Sequence, residues 1–239
     1  MSSFRISVRI LVWIQSLLLW VASAAWAQGK EFASLYGRLG YAQTSNYFGA
    51  SEQQVQSLQS YFWKEDPVYR EVNGFLRYYP KPYEWYGTSP EDAKQIVEDI
   101  DAIFADVPEL PEDLRLYRGM TLDWRANRSF DVGEEFVDAG FVSTSTSLSV
   151  VKHFAHGTGE SSKKQARSAT FTLYLNEPHA QGILIDQGED EVLLPRSQRF
   201  RIMARRVKGN QDRYLVQICG FSSCSEKVKH TEVLKDWVR

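Results

Sequence analysis

The apolar residues of this chain change their spacing once, near the middle, and do not change back. From residue 31 to 107 they recur at helical intervals, and from Leu114 onward they come in short runs broken by Gly, Pro, Asn or charge. A parallel α/β sheet needs helices and strands in alternation, so a chain that writes helices first and strands afterwards is α+β. Three helix starts are legible. Ser51 stands three residues before Gln54, the capping-box spacing. Asp66-Pro67 opens a second segment, with Val68, Val72, Phe75 and Leu76 at helical spacing. Ser89-Pro90-Glu91-Asp92 opens a third, whose stripe of Ile96, Ile100, Ile103 and Phe104 is ended by Pro108 and Pro111. The strand runs are Leu114–Tyr117, Phe141–Ser145, Ala169–Leu175 and Gln198–Ile202.

Arg5 and Arg9 precede an apolar stretch from Ile10 to Ala25, and Ala25-Trp26-Ala27 fits the small-x-small cleavage rule. The stretch approaches the length of a membrane span. Gln15 interrupts it and the cleavage site ends it, so residues 1–27 read as a signal peptide, cleaved after Ala27. The remainder is expected to be secreted, with no stable membrane insertion. Residues 28–239 suit one domain, with a helical part over 31–107 and a β-rich catalytic part over 113–239. Losing the leader removes two arginines and no acid, so the net charge moves from −2 to −4. That is no footprint for nucleic acid. Arg196, Arg199, Arg201, Arg205, Arg206 and Lys208 cluster late and read as the wet face of a strand; docking an acidic protein surface is the alternative. The protein is expected to be a monomer.

The only cysteines are Cys219 and Cys224. In an exported chain an even pair reads as a disulfide, and so short a loop contributes about 2 kcal/mol. Tyr214, Val216 and Ile218 alternate before it, so the bridge belongs at a hairpin end. Other motifs fail. Gly157-Thr158-Gly159-Glu160 ahead of Lys163 lacks the spacing of a phosphate loop. His153 and His156 have no third ligand at a recognisable distance, so no metal is expected.

Three further elements carry chemistry: Leu116-Tyr117-Arg118-Gly119, Phe141-Val142-Ser143-Thr144-Ser145, and Glu189-Asp190-Glu191 running into Val-Leu-Leu-Pro-Arg. In an extended segment the two glutamates share a face, and like charges side by side disfavour each other's ionisation. Structure alone rarely asks for that. In this order the elements resemble the bacterial ADP-ribosyltransferase exotoxins of the arginine–serine–glutamate class, the clostridial Rho-modifying exoenzymes among them. The resemblance takes in Glu71-Val72-Asn73-Gly74-Phe75-Leu76-Arg77 and covers about residues 50 to 205. It implies two small, face-to-face, mainly antiparallel sheets with the N-terminal helices packed beside them. It also implies NAD as substrate.

Breaking the nicotinamide–ribose bond of NAD passes through an oxocarbenium-like state, which a carboxylate stabilises as it does in glycosidases. Glu191 is the candidate for that carboxylate. Arg118 offers a guanidinium fork to the phosphates. Gly119 lets the backbone approach the nicotinamide ring without a Cβ in the way. The resemblance assigns Ser143 to orient Glu191, and it groups Thr144 and Ser145 with the cofactor-binding residues. By strand alternation Thr144 points into the core and Ser145 back to the site. Phe154 matches an aromatic that stacks on nicotinamide, with a core Phe as the alternative. The loop Gly157 to Arg167 would lie over the phosphates. In the family, Glu at position 189 goes with guanidinium acceptors, and a carboxylate matches an arginine fork where an amide does not. The expected activity is mono-ADP-ribosylation of an arginine on a target protein. The rivals are an NAD glycohydrolase and a non-catalytic NAD-binding module.

Overall fold

The capping box at Ser51 forms as its spacing asks. Ser51 N–H donates to Gln54 Oε1 at 2.7 Å and Gln54 N–H to Ser51 Oγ at 3.3 Å, opening α1 (Glu52–Phe62). The computed structural model describes residues 49–62, 68–78, 87–111, 114–122, 129–155, 167–175, 180–185, 190–220, 224 and 237. Helix α2 (Val68–Tyr78) begins directly after Pro67. In α3 (Pro90–Asp106) the Ser89 hydroxyl accepts the Asp92 N–H at 3.0 Å, and proline occupies the first turn, where no N–H is needed. Ala93, Val97, Ile100, Ile103 and Phe104 are the stripe that α3 buries against α1 and α2.

Eight strands and one more helix follow in the described residues: β1 (Arg115–Leu122), β2 (Glu135–Asp138), β3 (Val142–Ser145), α4 (Leu148–Ala155), β4 (Arg167–Leu175), β5 (Ile183–Ile185), β6 (Glu191–Leu194), β7 (Gln198–Lys208) and β8 (Gln211–Ile218). They hydrogen-bond in the order β2-β7-β8-β4-β1-β3-β6-β5. Every pair is antiparallel except β4 with β8. Between β1 and β3 the ladder is a single pair, Tyr117↔Ser145. The sheet therefore divides there into a five-strand half and a three-strand half. Leu116, Phe171, Leu173, Tyr214 and Val216 of the first half share one apolar core with Val142, Leu184, Val192 and Leu194 of the second. These are the two facing sheets of the expected fold, joined at one narrow seam. The three-strand half buries its other face, through Phe141, Ile183, Ile185 and Leu193, against α1–α3.

Two expectations need adjusting. Strand β7 runs well past Ile202, because a bulge between Ile202 and Ala204 re-registers it against β8. Its arginines are also not a bare stripe. Arg199 and Arg201 pair with Glu135, Arg205 with the fully buried Asp212, and Arg196 with Asp101 of α3. The disulfide Cys219–Cys224 closes a short loop directly after β8, at the open end of the β7–β8 hairpin. There Cys219 N–H donates to Arg199 O at 3.0 Å, and Gln198 Nε2 donates to Cys219 O at 2.7 Å.

Candidate active site

The site is built on the alternation of β3 and β6. Val142 and Thr144 face the core between the halves, and the Thr144 hydroxyl donates to Val192 O at 2.5 Å. Phe141, Ser143 and Ser145 face the other way, toward the helices. On β6, Val192 and Leu194 face the shared core while Leu193 packs with the helical cluster, so Glu191 shares the face of Leu193. The structure thus brings Ser143, Ser145 and Glu191 to one surface and turns Thr144 away from it. Ser145 is directly opposite Glu191 in the ladder, and Ser143 is opposite Leu193.

Arg118 enters from β1. Alternation puts it on the core face with Leu116, across from Phe171, and its Nη1 donates to the Ser143 carbonyl at 3.0 Å. Burial pulls its guanidinium below the ordinary arginine value, with Arg77 adding to the effect, while Asp138, Tyr61 and Glu191 oppose it. Glu191 is thus one of several charges acting on Arg118. Gly119, its neighbour, also has a packing role. A Cβ there would meet the Val151 carbonyl and stand 2.9 Å from Ala155 N, so the missing side chain makes room for α4. What Gly119 has left to offer a ligand is main chain.

The floor of the site was not legible in the motifs. Tyr61 of α1 is fully buried, and its hydroxyl accepts the Asn73 side-chain N–H at 2.8 Å. The Asn73 oxygen in turn accepts Phe141 N–H at 2.9 Å, so one side chain of α2 ties α1 to the start of β3. Gly140 is what admits Asn73, because a Cβ at 140 would lie 2.5 Å from Asn73 Oδ1. Burial pushes the Tyr61 hydroxyl far above the ordinary tyrosine value, and Glu191 pushes it the same way. Beside it, Arg77 forms a two-pronged pair with Asp138 at 2.8 and 2.9 Å, which also accepts Gly140 N–H at 3.0 Å. Asn73 and Arg77 stood inside a quoted motif run, but only packing across α1, α2 and β3 reveals these partners.

Asp190 brings a correction. Its φ is +47°, in the left-handed region, and β6 starts only at Glu191. The extended geometry that would put positions 189 and 191 on one face is broken at the residue between them. Thr146 N–H donates to Asp190 O at 3.0 Å and holds that turn. Glu189 itself lies outside the described residues, as do His156 and Gly157 through Ala166; Phe154 is on α4, with its side chain outside the described ones. Among the described residues no three His, Cys, Asp or Glu are grouped to hold a metal.

A family model for ADP-ribosyltransferase exoenzymes matches residues 25–222. The chain belongs to that family. The chain is accordingly a bacterial mono-ADP-ribosyltransferase toxin, and NAD is the substrate. No curated protein sequence matches the chain. Among solved structures, Vis toxin, an ADP-ribosyltransferase from Vibrio splendidus, is 19% identical, with a TM-score of 0.64 over 84% of this chain and 88% of that one. Exoenzyme S from Pseudomonas aeruginosa, in complex with human 14-3-3 protein beta and bound to carba-NAD, is 18% identical, with a TM-score of 0.55 over 89% and 97%. An ADP-ribosyltransferase from Clostridium botulinum is 16% identical, with a TM-score of 0.52 over 80% and 94%. At these identities the likeness is one of fold.

Proposed function

We propose that this exoenzyme is exported and moves ADP-ribose from NAD to an arginine side chain of a target protein. The observation that carries the reading is that β3 links both motif residues: the Ser143 carbonyl accepts from the Arg118 guanidinium, and Ser145 lies directly opposite Glu191. Arg118 holds the phosphates of NAD, and main chain at Gly119 meets the nicotinamide amide. Glu191 stabilises positive charge on the ribose as the glycosidic bond breaks and nicotinamide leaves with the bonding electrons. A guanidinium nitrogen of the target then attacks the anomeric carbon and gives up a proton. Glu189 receives that guanidinium, since a carboxylate pairs with both the charge and the fork.

Two findings support the arginine acceptor and export. Vis toxin has been solved in complex with agmatine, a molecule that ends in a guanidinium. The family match covers residues 25–222, so all but the last three residues of the leader, 1–27, lie ahead of it. Residues 28–239 then act as one domain. No described helix is long and apolar enough to cross a membrane.

Incubation with NAD labelled in its adenylate half, plus a cell lysate, tests the reading. Labelled protein bands that agmatine suppresses are the expected result. Free ADP-ribose without labelled protein would mean a glycohydrolase, and intact NAD would mean a binding module.

A further inference from the structure

We propose that Asp138 is a built-in counter-ion of the donor site: its carboxylate balances Arg77 and Arg118, and so limits how tightly the site holds the diphosphate of NAD. The inference rests on the reading of Arg118 as the residue that meets the phosphates. It adds a residue that works against that binding.

Two arginines converge on the start of β3 from different elements. Arg77, in the last turn of α2, lies against Gly140, where a Cβ would stand 3.1 Å from its Nη2. Arg118 comes from β1 and donates to the carbonyl of Ser143, three residues further along. A guanidinium does not give up its charge, so two of them in one place call for an anion. Burial is what lowers Arg118 most. The largest charge acting against that effect is Asp138, ahead of Tyr61 and Glu191, while Arg77 adds to it.

Asp138 is well placed for this task. Its Oδ1 accepts Arg77 Nε at 2.8 Å and Gly140 N–H at 3.0 Å, and its Oδ2 accepts Arg77 Nη2 at 2.9 Å. Its backbone ends β2 and pairs with Gln198 of β7, so the carboxylate is fixed from the sheet side. The Arg77 and Asp138 side chains keep 34% and 20% of their surface open. A pair so open contributes little to stability, so its charges act mainly on what comes near them. A carboxylate repels a phosphate as an arginine attracts it. Asp138 therefore cancels one of the two positive charges that a diphosphate meets on its way to Arg118. The ADP-ribosyl group leaves on the target with that same diphosphate, and a site that gripped it harder would release its product more slowly.

The experiment is calorimetric titration of NAD, and of inorganic pyrophosphate, into the full chain carrying Asp138→Asn, Asp138→Glu or Arg118→Lys. Asparagine keeps the size of Asp138 and an oxygen for Gly140 N–H, and removes the charge. Asp138→Asn is expected to bind both probes about fivefold more tightly at low salt. The gain is expected to shrink to within about twofold near 1 M salt, where charges are screened beyond about 3 Å. Asp138→Glu, which restores the charge, is expected to bind within about twofold of the unaltered enzyme. Equal or weaker binding by Asp138→Asn at low salt overturns the proposal. So does a gain that high salt leaves intact, or the same gain in Asp138→Glu, since a merely structural aspartate predicts either. If Arg118→Lys binds NAD as tightly as the unaltered enzyme, the reading of Arg118 fails first. A weakened Arg118→Lys beside an unchanged Asp138→Asn strikes the proposal alone. Thermal melts show which variants are folded, and Asp138→Ser, a second charge-free form, takes the place of Asp138→Asn should that one fold poorly.

Discussion

Asn73 on α2 donates to the buried hydroxyl of Tyr61 on α1, and its carbonyl oxygen accepts from Phe141 ahead of β3. An amide thus ties the start of β3 to the helices, in addition to the packing of Phe141. The rings of Tyr61 and Phe141 meet edge to face at 5.7 Å around it. Asn73→Ala leaves Phe141 N–H without its acceptor in a buried place. The expected cost is about 2–3 kcal/mol in denaturant unfolding. A loss below about 0.5 kcal/mol would show that the strand is held by packing alone.

Gly119→Ala tests a different support. The added methyl meets the backbone of α4 at Val151 and Ala155, which has no flexible end to swing away. Overpacking of this kind costs about 1–3 kcal/mol. Helix α4 should shift, and thermal unfolding should come earlier than in the parent. An unchanged melting temperature would mean that α4 sits farther from β1 than described.

Arg118→Lys keeps a charge but loses the planar fork and the contact to the Ser143 carbonyl. Calorimetric titration with NAD should show affinity weakened by about tenfold, the equivalent of one net hydrogen bond. Equal affinity for the two forms would place the phosphates elsewhere.

Glu189→Gln keeps size and removes charge. Transfer to agmatine or to protein arginine should fall by about 10–100-fold, the loss of one charge-assisted contact, while slow hydrolysis by water survives. The two reactions share the donor half and differ in the acceptor half. Loss of both together would move Glu189 into the donor site and remove the ground for the arginine assignment.

Stability at alkaline pH follows from the buried tyrosines. Burial pushes the Tyr174 hydroxyl up to about 12, and Tyr61 and Tyr214 shift the same way. An unfolded tyrosine ionises near pH 10, so the folded state holds these protons more tightly. Their stabilisation is full below about pH 10 and drains away as the pH rises toward about 12. Denaturant midpoints measured across that window should fall together with the appearance of tyrosinate absorbance. A flat midpoint would contradict the burial.

The sequence disclosed what is local and withheld what is shared between distant segments. The caps at Ser51 and Ser89, and the stripe ending in Ile103 and Phe104, are chemistry within one turn or one helix face. They fold as they read. Strand β2 gave no such signal. It is four residues long, lies at the sheet edge, and leaves Val137 47% exposed, so its apolar pattern does not mark a buried face. Arg118, Ser143 and Glu191 were legible as motif residues. Asn73, Tyr61 and Gly140 matter only because three separate segments close on one another. Asp190 resisted for another reason: aspartate visits positive φ more often than most residues, yet so seldom that its presence alone does not announce one.

The lone Tyr117↔Ser145 pair between the two halves of the sheet also bears on how the protein is made. The three-strand half is β3, β5 and β6, and the chain visits β4 of the other half in between. Neither half is a continuous stretch, so neither can fold ahead of the other. The five-strand half is completed only by β7 and β8, which come last and supply Ile202, Tyr214, Val216 and Ile218 to the shared core. Such long-range wiring makes folding slow. A chain still being synthesised lacks half the wall of its core. The cell that makes the enzyme thus handles a strand of polypeptide in which the NAD cleft does not yet exist.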